Sequence, residues 1–183
     1  MKASFHIYLY GKRKTCRAEE NMNTKKTARY GLLIALAFIF SYIESVIMVP
    51  VPVPGIKLGL ANLVVLAALY RMGNGPAALV SVVRVVLAGL TFHNAMMMLY
   101  SLAGCTLSLF IMILLKRTGR FGMVGVSVAG GVMHNLGQLL VAAAVLETSA
   151  LLYYFPALLV SGCVAGIVIG VAGAEAVKRL PTL

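Results

Sequence analysis

The sequence predicts an all-α integral membrane protein that crosses the bilayer about six times, with both ends on the cytoplasmic side. Three observations predict it. Of 183 residues, 61% are hydrophobic and only 11% charged, and the mean hydropathy is +0.94. A soluble domain carries roughly 25% charged residues, so this chain has too few to cover a water-facing surface. The apolar residues gather into six segments, and the Lys and Arg residues fall in alternate breaks between them. The length suits one membrane domain, placed at residues 30–180.

Residues 1–29 hold eight of the sixteen Lys and Arg. A secretory signal needs an apolar core of about 7–15 residues, and residues 4–10 are too short and too polar for one. The run after Met22 (NTKKT) reads as a start just ahead of the first apolar segment. The basic stretch 1–29 is therefore expected to lie outside the fold, with residues 1–21 a disordered extension or an upstream mis-start. A helix crossing ~30 Å of hydrocarbon needs about 20 residues. Span one at 30–49, span four at 95–115, span five at 123–146 and span six at 150–177 meet that length. Span two at 55–70 and span three at 76–90 are shorter. They are expected either to cross with little tilt or in thinned bilayer, or to form a re-entrant hairpin around Gly73, Gly75 and Pro76.

Charge sets the orientation, because cytoplasmic loops carry an excess of Lys and Arg. With the N-terminus inside, the inner segments hold the first eight basic residues and Arg71, Lys116, Arg117, Arg120, Lys178 and Arg179, fourteen of sixteen. The outer loops at 50–54, 91–94 and 147–149 hold none. Lys57 and Arg84 remain, at or within spans.

Ionisable groups inside a span are costly and usually face a cavity or a partner. Glu44 falls in the outer part of span one, and Lys57 and Asn62 in the outer part of span two. Arg84 falls near the middle of span three, with His93 and Asn94 beyond its outer end. His134, Asn135 and Gln138 run outward from the middle of span five, and Glu147 follows it. Together they make the outer half of the bundle polar, the pattern of a pocket open to the outside. His134 and Gln138 are four apart and share one helical face. Arg84 needs either an internal ion pair, with Glu44 or Glu147, or an anionic ligand group. Lys57 either reaches the ligand or snorkels to the surface. His93, Asn94, Glu44 and Glu147 are candidate gate or ion-pair residues.

Small residues form two ridges: Gly31 and Ala35 in span one, and Gly162, Gly166, Gly170 and Ala174 at four-residue spacing in span six. Such faces let membrane helices approach closely. The span-six ridge reads as internal packing, and the span-one ridge as internal packing or as a docking face for another subunit. Between spans one and two, Pro50, Pro52 and Pro54 hold the link extended, as a cap over an outward pocket or as a rigid surface link.

The run PGIKLGLANLV at 54–64, Arg84 in span three, and GGVMHNLGQ at 130–138 together resemble a family of small bacterial membrane proteins. That family is labelled both Gx transporter and heptaprenyl diphosphate synthase component I. The resemblance extends from residue 22 to about 180. More broadly the chain is similar to the substrate-binding S components of energy-coupling-factor transporters. This implies a six-span bundle in the bacterial cell membrane, an outward pocket, and small residues on the first helix that dock to a membrane coupling subunit served by cytoplasmic ATPases. Gly31 and Ala35 stand at the matching place, where the usual pattern has alanine at both.

The synthase label implies diphosphate held through magnesium by Asp-rich motifs. Magnesium takes hard oxygen ligands, usually carboxylates, whereas this chain has no Asp and five scattered Glu, at 19, 20, 44, 147 and 175. Cys16, Cys105 and Cys163 have no metal or redox spacing, and there is no phosphate-binding Walker sequence. The residues thus point away from an enzyme, from resident cofactors and metals, and from ATP hydrolysis by this chain. The net charge of +11 is explained by loop bias and anionic lipid rather than by nucleic acid. The expected function is capture of a small molecule, of anionic or carbonyl character, from the outer side. Lys57, Asn62, Arg84, His134, Asn135 and Gln138 are its expected contacts. The competing expectation is a non-catalytic accessory subunit of prenyl diphosphate synthesis.

Overall fold

The computed structural model describes the backbone at 2–46, 59–92 and 95–179, with side chains from Thr24 onward. The described residues form six α-helices: α1 (Lys2–Val46), α2 (Leu60–Arg71), α3 (Asn74–Phe92), α4 (Ala95–Thr118), α5 (Met123–Val145) and α6 (Phe155–Arg179). A 3-10 turn (Ser149–Tyr154) precedes α6. No strand occurs among the described residues. The proline-rich link with Lys57, and the pair His93 and Asn94, lie outside the described residues. The helix assigned to α1 continues unbroken through the stretch expected to be a disordered extension.

Among the described residues, five segments are long and apolar enough to cross a membrane: Thr24–Val46, Asn74–Phe92, Ala95–Thr118, Met123–Val145 and Ser149–Arg179. The chain is thus a multi-pass membrane protein. The expected all-α bundle of about six membrane helices is found, and its shortest member is α2. Its 12 residues reach about 18 Å at ~1.5 Å per residue, short of the hydrocarbon thickness. Span three, expected to be short, is a full 19-residue helix, because Asn74 and Gly75 join its first turn. Between α2 and α3 the chain reverses at Gly73, whose φ of +95° suits a residue without a Cβ. The Gly73 and Met72 amides both return to Ala68 O, at 3.1 and 2.8 Å.

The helices close into a ring in the order α1, α3, α4, α5, α6, α2, with α2 also packing across onto α3. The shortest helix is therefore the most enclosed. Ala61 and every residue from Val64 to Leu69 on it are buried. Ala37, Val80, Leu109, Met112, Val126 and Ile169 from the other five helices pack around it. Leu32, Ile39, Leu90, Phe110 and Val168 point outward, as lipid-facing side chains do.

Two features hold the ring. On one side α6 lies against α5 through glycines. A Cβ at Gly162 would stand 3.0 Å from Val132 Cα, one at Gly166 2.5 Å from Val128 Cα, and one at Gly170 2.7 Å from Val124 Cα. The span-six ridge is thus internal packing. On the span-one ridge, by contrast, a Cβ at Gly31 would meet nothing within 4 Å, and Ala35 is exposed. At the basic end, cations close helix C-termini. Lys116 Nζ donates to Leu69 O at 2.6 Å and stands 5.0 Å over the Tyr70 ring, and Arg71 donates to Val177 O. Both contacts suit the partial negative charge of a helix C-terminus. They bring the ends of α2, α4 and α6 together, as alternating orientation requires.

Gly166→Ala should destabilise the bundle by about 1–3 kcal/mol through overpacking, read as a lower melting temperature of the purified protein in detergent. Gly31→Ala should leave that temperature unchanged or raise it.

Candidate functional site

The residues that apolar packing leaves unexplained converge away from the basic end. Arg84 on α3 is 7% exposed. Its Nη2 donates to Asn62 Oδ1 on α2 at 2.8 Å and to Cys105 Sγ on α4 at 3.1 Å. Its Nε is buried without a partner. Among the described residues no carboxylate pairs with it, and the ion pairs found there are those of Glu175 with Lys178 and Arg179. An Arg in mid-span costs about 2.5–3.5 kcal/mol on insertion scales, and an amide-type contact and a thiol offset only part of that. A buried N–H without an acceptor adds about 1–3 kcal/mol.

Arg84 opens onto a cavity of about 800 Å³, counting the space at its mouth, and all six helices line it. From α1 come Ser41, Glu44 and Ser45, and from α5 Gly131, His134 and Asn135. Ser101, Met97 and Met98 on α4, and Gly162, Ala165 and Ile169 on α6, complete the wall. A smaller compartment of about 240 Å³ shares Asn62, Gly131 and Ile169 with it and runs on between Ser108, Met112 and Ser127.

Local sequence explains the placement. Gly59, at φ +77°, starts α2 at the cavity wall, where a Cβ would strike Ile169 Cδ1 at 2.8 Å. The half-buried N-terminus of α2 carries partial positive charge, and Glu44 Oε1 accepts from the Leu60 amide at 2.5 Å. Gly104 lets α5 close on α4, since a Cβ there would lie 2.7 Å from His134 O. His134 Nδ1 is the other buried nitrogen facing this region without a partner. Asn135 is spoken for differently: its Nδ2 donates to Leu158 O at 2.8 Å and Ser161 Oγ at 3.3 Å, tying α5 to α6.

The structure therefore brings together Asn62, Arg84, His134 and Asn135 from the expected ligand contacts, and Glu44 from the expected gate residues. It does not bring in Gln138 or Glu147. Gln138 shares a face with His134, but one turn farther out that face meets α4, and Gln138 Cγ packs at Gly104. Glu147 is exposed in the turn beyond α5 with φ 49°. Neither expected ion pair of Arg84, with Glu44 or with Glu147, forms. Lys57, His93 and Asn94 lie outside the described residues. The serines were not among the expected site residues, and Cys105 was expected only to lack metal or redox spacing, although their helical spacing carried a signal. Ser41, Glu44 and Ser45 fall on one face of α1, and Ser101, Cys105 and Ser108 on one face of α4.

A family model described as "Heptaprenyl diphosphate synthase component I" matches residues 33–176. No curated protein and no solved structure matches the chain.

The two kinds of polar contact predict opposite outcomes. Asn135→Ala should cost about 1–2 kcal/mol in thermal unfolding, because it removes the Nδ2 donations to Leu158 O and Ser161 Oγ that tie α5 to α6. Arg84→Met should hold or raise the melting temperature, since an apolar replacement removes a charge that no carboxylate compensates.

Proposed function

The chain belongs to the heptaprenyl diphosphate synthase component I family, and from that premise we propose that it is a membrane-embedded substrate-binding component. It captures a small acidic molecule from the outer side and works within an energy-coupling-factor-type importer of the bacterial cell membrane. The observation that carries this reading is Arg84. It is a permanently charged group, buried, paired with no carboxylate among the described residues, and keeps a free Nε beside an open cavity. Unsatisfied buried donors call for an explanation, and an acidic ligand group supplies one. His134 Nδ1 stands on the same wall for a second hydrogen bond.

Import needs energy, and the chain carries no ATP-binding motif. The family's description as a component implies a partner subunit. Gly31 and Ala35 are exposed on α1, and among the described residues a Cβ at Gly31 would meet nothing within 4 Å. This supports their use as the docking face for a membrane coupling subunit with its ATPases. The chain binds rather than converts. Of its five Glu, Glu44 lines the cavity among the described residues, and a single carboxylate does not fit the magnesium-held diphosphate chemistry of a synthase.

The family description favours a second reading, a non-catalytic partner that presents a prenyl diphosphate to a soluble synthase. Both readings use Arg84 on an acidic group and separate by partner. Purification from native membranes should recover ATPases and a coupling subunit under the first reading, and a soluble prenyltransferase under the second. Mass spectrometry of gently purified protein should find a small acidic molecule retained by the wild type and lost from Arg84→Met. Equal retention by both would remove Arg84 from the site. Gly31→Phe should keep the fold and the bound molecule but abolish recovery of the coupling subunit.

A further inference from the structure

The cavity holds a second charge of opposite sign. Glu44 lines the same space as Arg84, yet the two do not pair. Unlike charges in contact attract by about 4 kcal/mol at the effective permittivity near a protein surface, so their separation needs a cause. Each is held by its own anchor. Arg84 is held by Asn62 Oδ1 and Cys105 Sγ, and Glu44 by the Leu60 amide at the start of α2. Capping that amide does not call for a charge. Ser, Thr or Asn caps a helix as well, without the cost of a carboxylate in an apolar bundle. One Glu44 oxygen takes the amide, which leaves the other available to the cavity.

We infer that the ligand is zwitterionic, with its acidic group on Arg84 and an ammonium group on Glu44. This deepens the proposed function and rests on the cavity being a ligand site. Such a ligand supplies each charge with the partner that the other's anchor withholds from it. A doubly anionic molecule would instead meet Glu44 as a repulsive group, so Glu44 selects against it. The serines beside Glu44 do not substitute for it. Ser41 Oγ donates to Ala37 O at 2.9 Å and Ser45 Oγ to Tyr42 O at 2.7 Å, so both hydroxyl protons are committed within α1.

The test uses ω-amino acids of increasing length, from 4-aminobutyrate through 6-aminohexanoate to 8-aminooctanoate. Each is paired with its N-acetyl derivative, which keeps the acid and loses the ammonium charge. Binding is measured by calorimetry on detergent-purified protein. At the length that spans the two anchors, the amino acid should bind wild type at least about ten-fold tighter than its acetylated counterpart. Glu44→Gln, which keeps an acceptor for the Leu60 amide, should close that gap by weakening the amino acid and not its acetylated counterpart. Arg84→Met should weaken both members of every pair. Equal binding of the two members at all lengths overturns the inference, as does a gap that survives Glu44→Gln, or no binding by any member. Acetylated acids that bind through Arg84 without any gap would overturn it alone and leave the acid-capturing reading in place. Retention of the native molecule tests that reading separately.

Discussion

A guanidinium enclosed in an apolar bundle is the constraint around which the outer half of this protein is arranged. The guanidinium of Arg84 is a cation with donors only, so the surrounding helices must contribute to its solvation. Asn62 does so from α2 and Cys105 from α4. Neither brings a negative charge by composition, and Nε is left over. A protein that needed Arg84 only for structure could replace it with an apolar side chain at little or no loss. Keeping it is sensible where the missing countercharge arrives from outside.

The cavity around that charge is made by small residues rather than by large ones standing apart. Gly130 and Gly131 are adjacent on α5 and so face different neighbours. A Cβ on the first would meet Met112 Sδ on α4 at 2.7 Å, and one on the second would meet Gly162 O on α6 at 2.6 Å. Helix α5 is thereby clasped from both sides while His134 and Asn135, one turn on, project toward the space between. Close approach of backbones and polar side chains at the same level are two uses of one segment.

Much of this was legible in the chain. Hydropathy and the alternation of Lys and Arg gave the helices and their order, and the strict spacing of Gly162, Gly166 and Gly170 gave the α5–α6 contact. Arg84 and His134 were visible because ionisable groups in an apolar span have few innocent explanations. Three things were not legible. The length of α2 depends on where Gly59 turns the chain at the cavity wall, which hydropathy does not report, since Leu58 and Leu60 on either side are equally apolar. The exclusion of Gln138 depends on the tilt of α5 against Gly104, a matter of one helical turn. Ser41, Ser45 and Ser101 are too common in membrane helices to stand out until their neighbours are known. The family membership agrees with the resemblance of the 54–64 and 130–138 runs, while the wider likeness to importer S components remains a proposal carried by Arg84 and Gly31.

The glycine seams also divide the bundle mechanically. Where α6 touches α5, backbone meets backbone at Gly162, Gly166 and Gly170, with no flexible side chain between them to absorb a slide or a twist. Backbone also meets backbone where α5 touches α4, at Gly137 against Ala103 and Gly104, so α4, α5 and α6 form one closely packed wall. The opposite wall, α1 with the short α2 and α3, meets its neighbours through side chains that can change rotamer. It carries both Glu44 and Arg84, so any hinge movement there changes the spacing of the two charges directly.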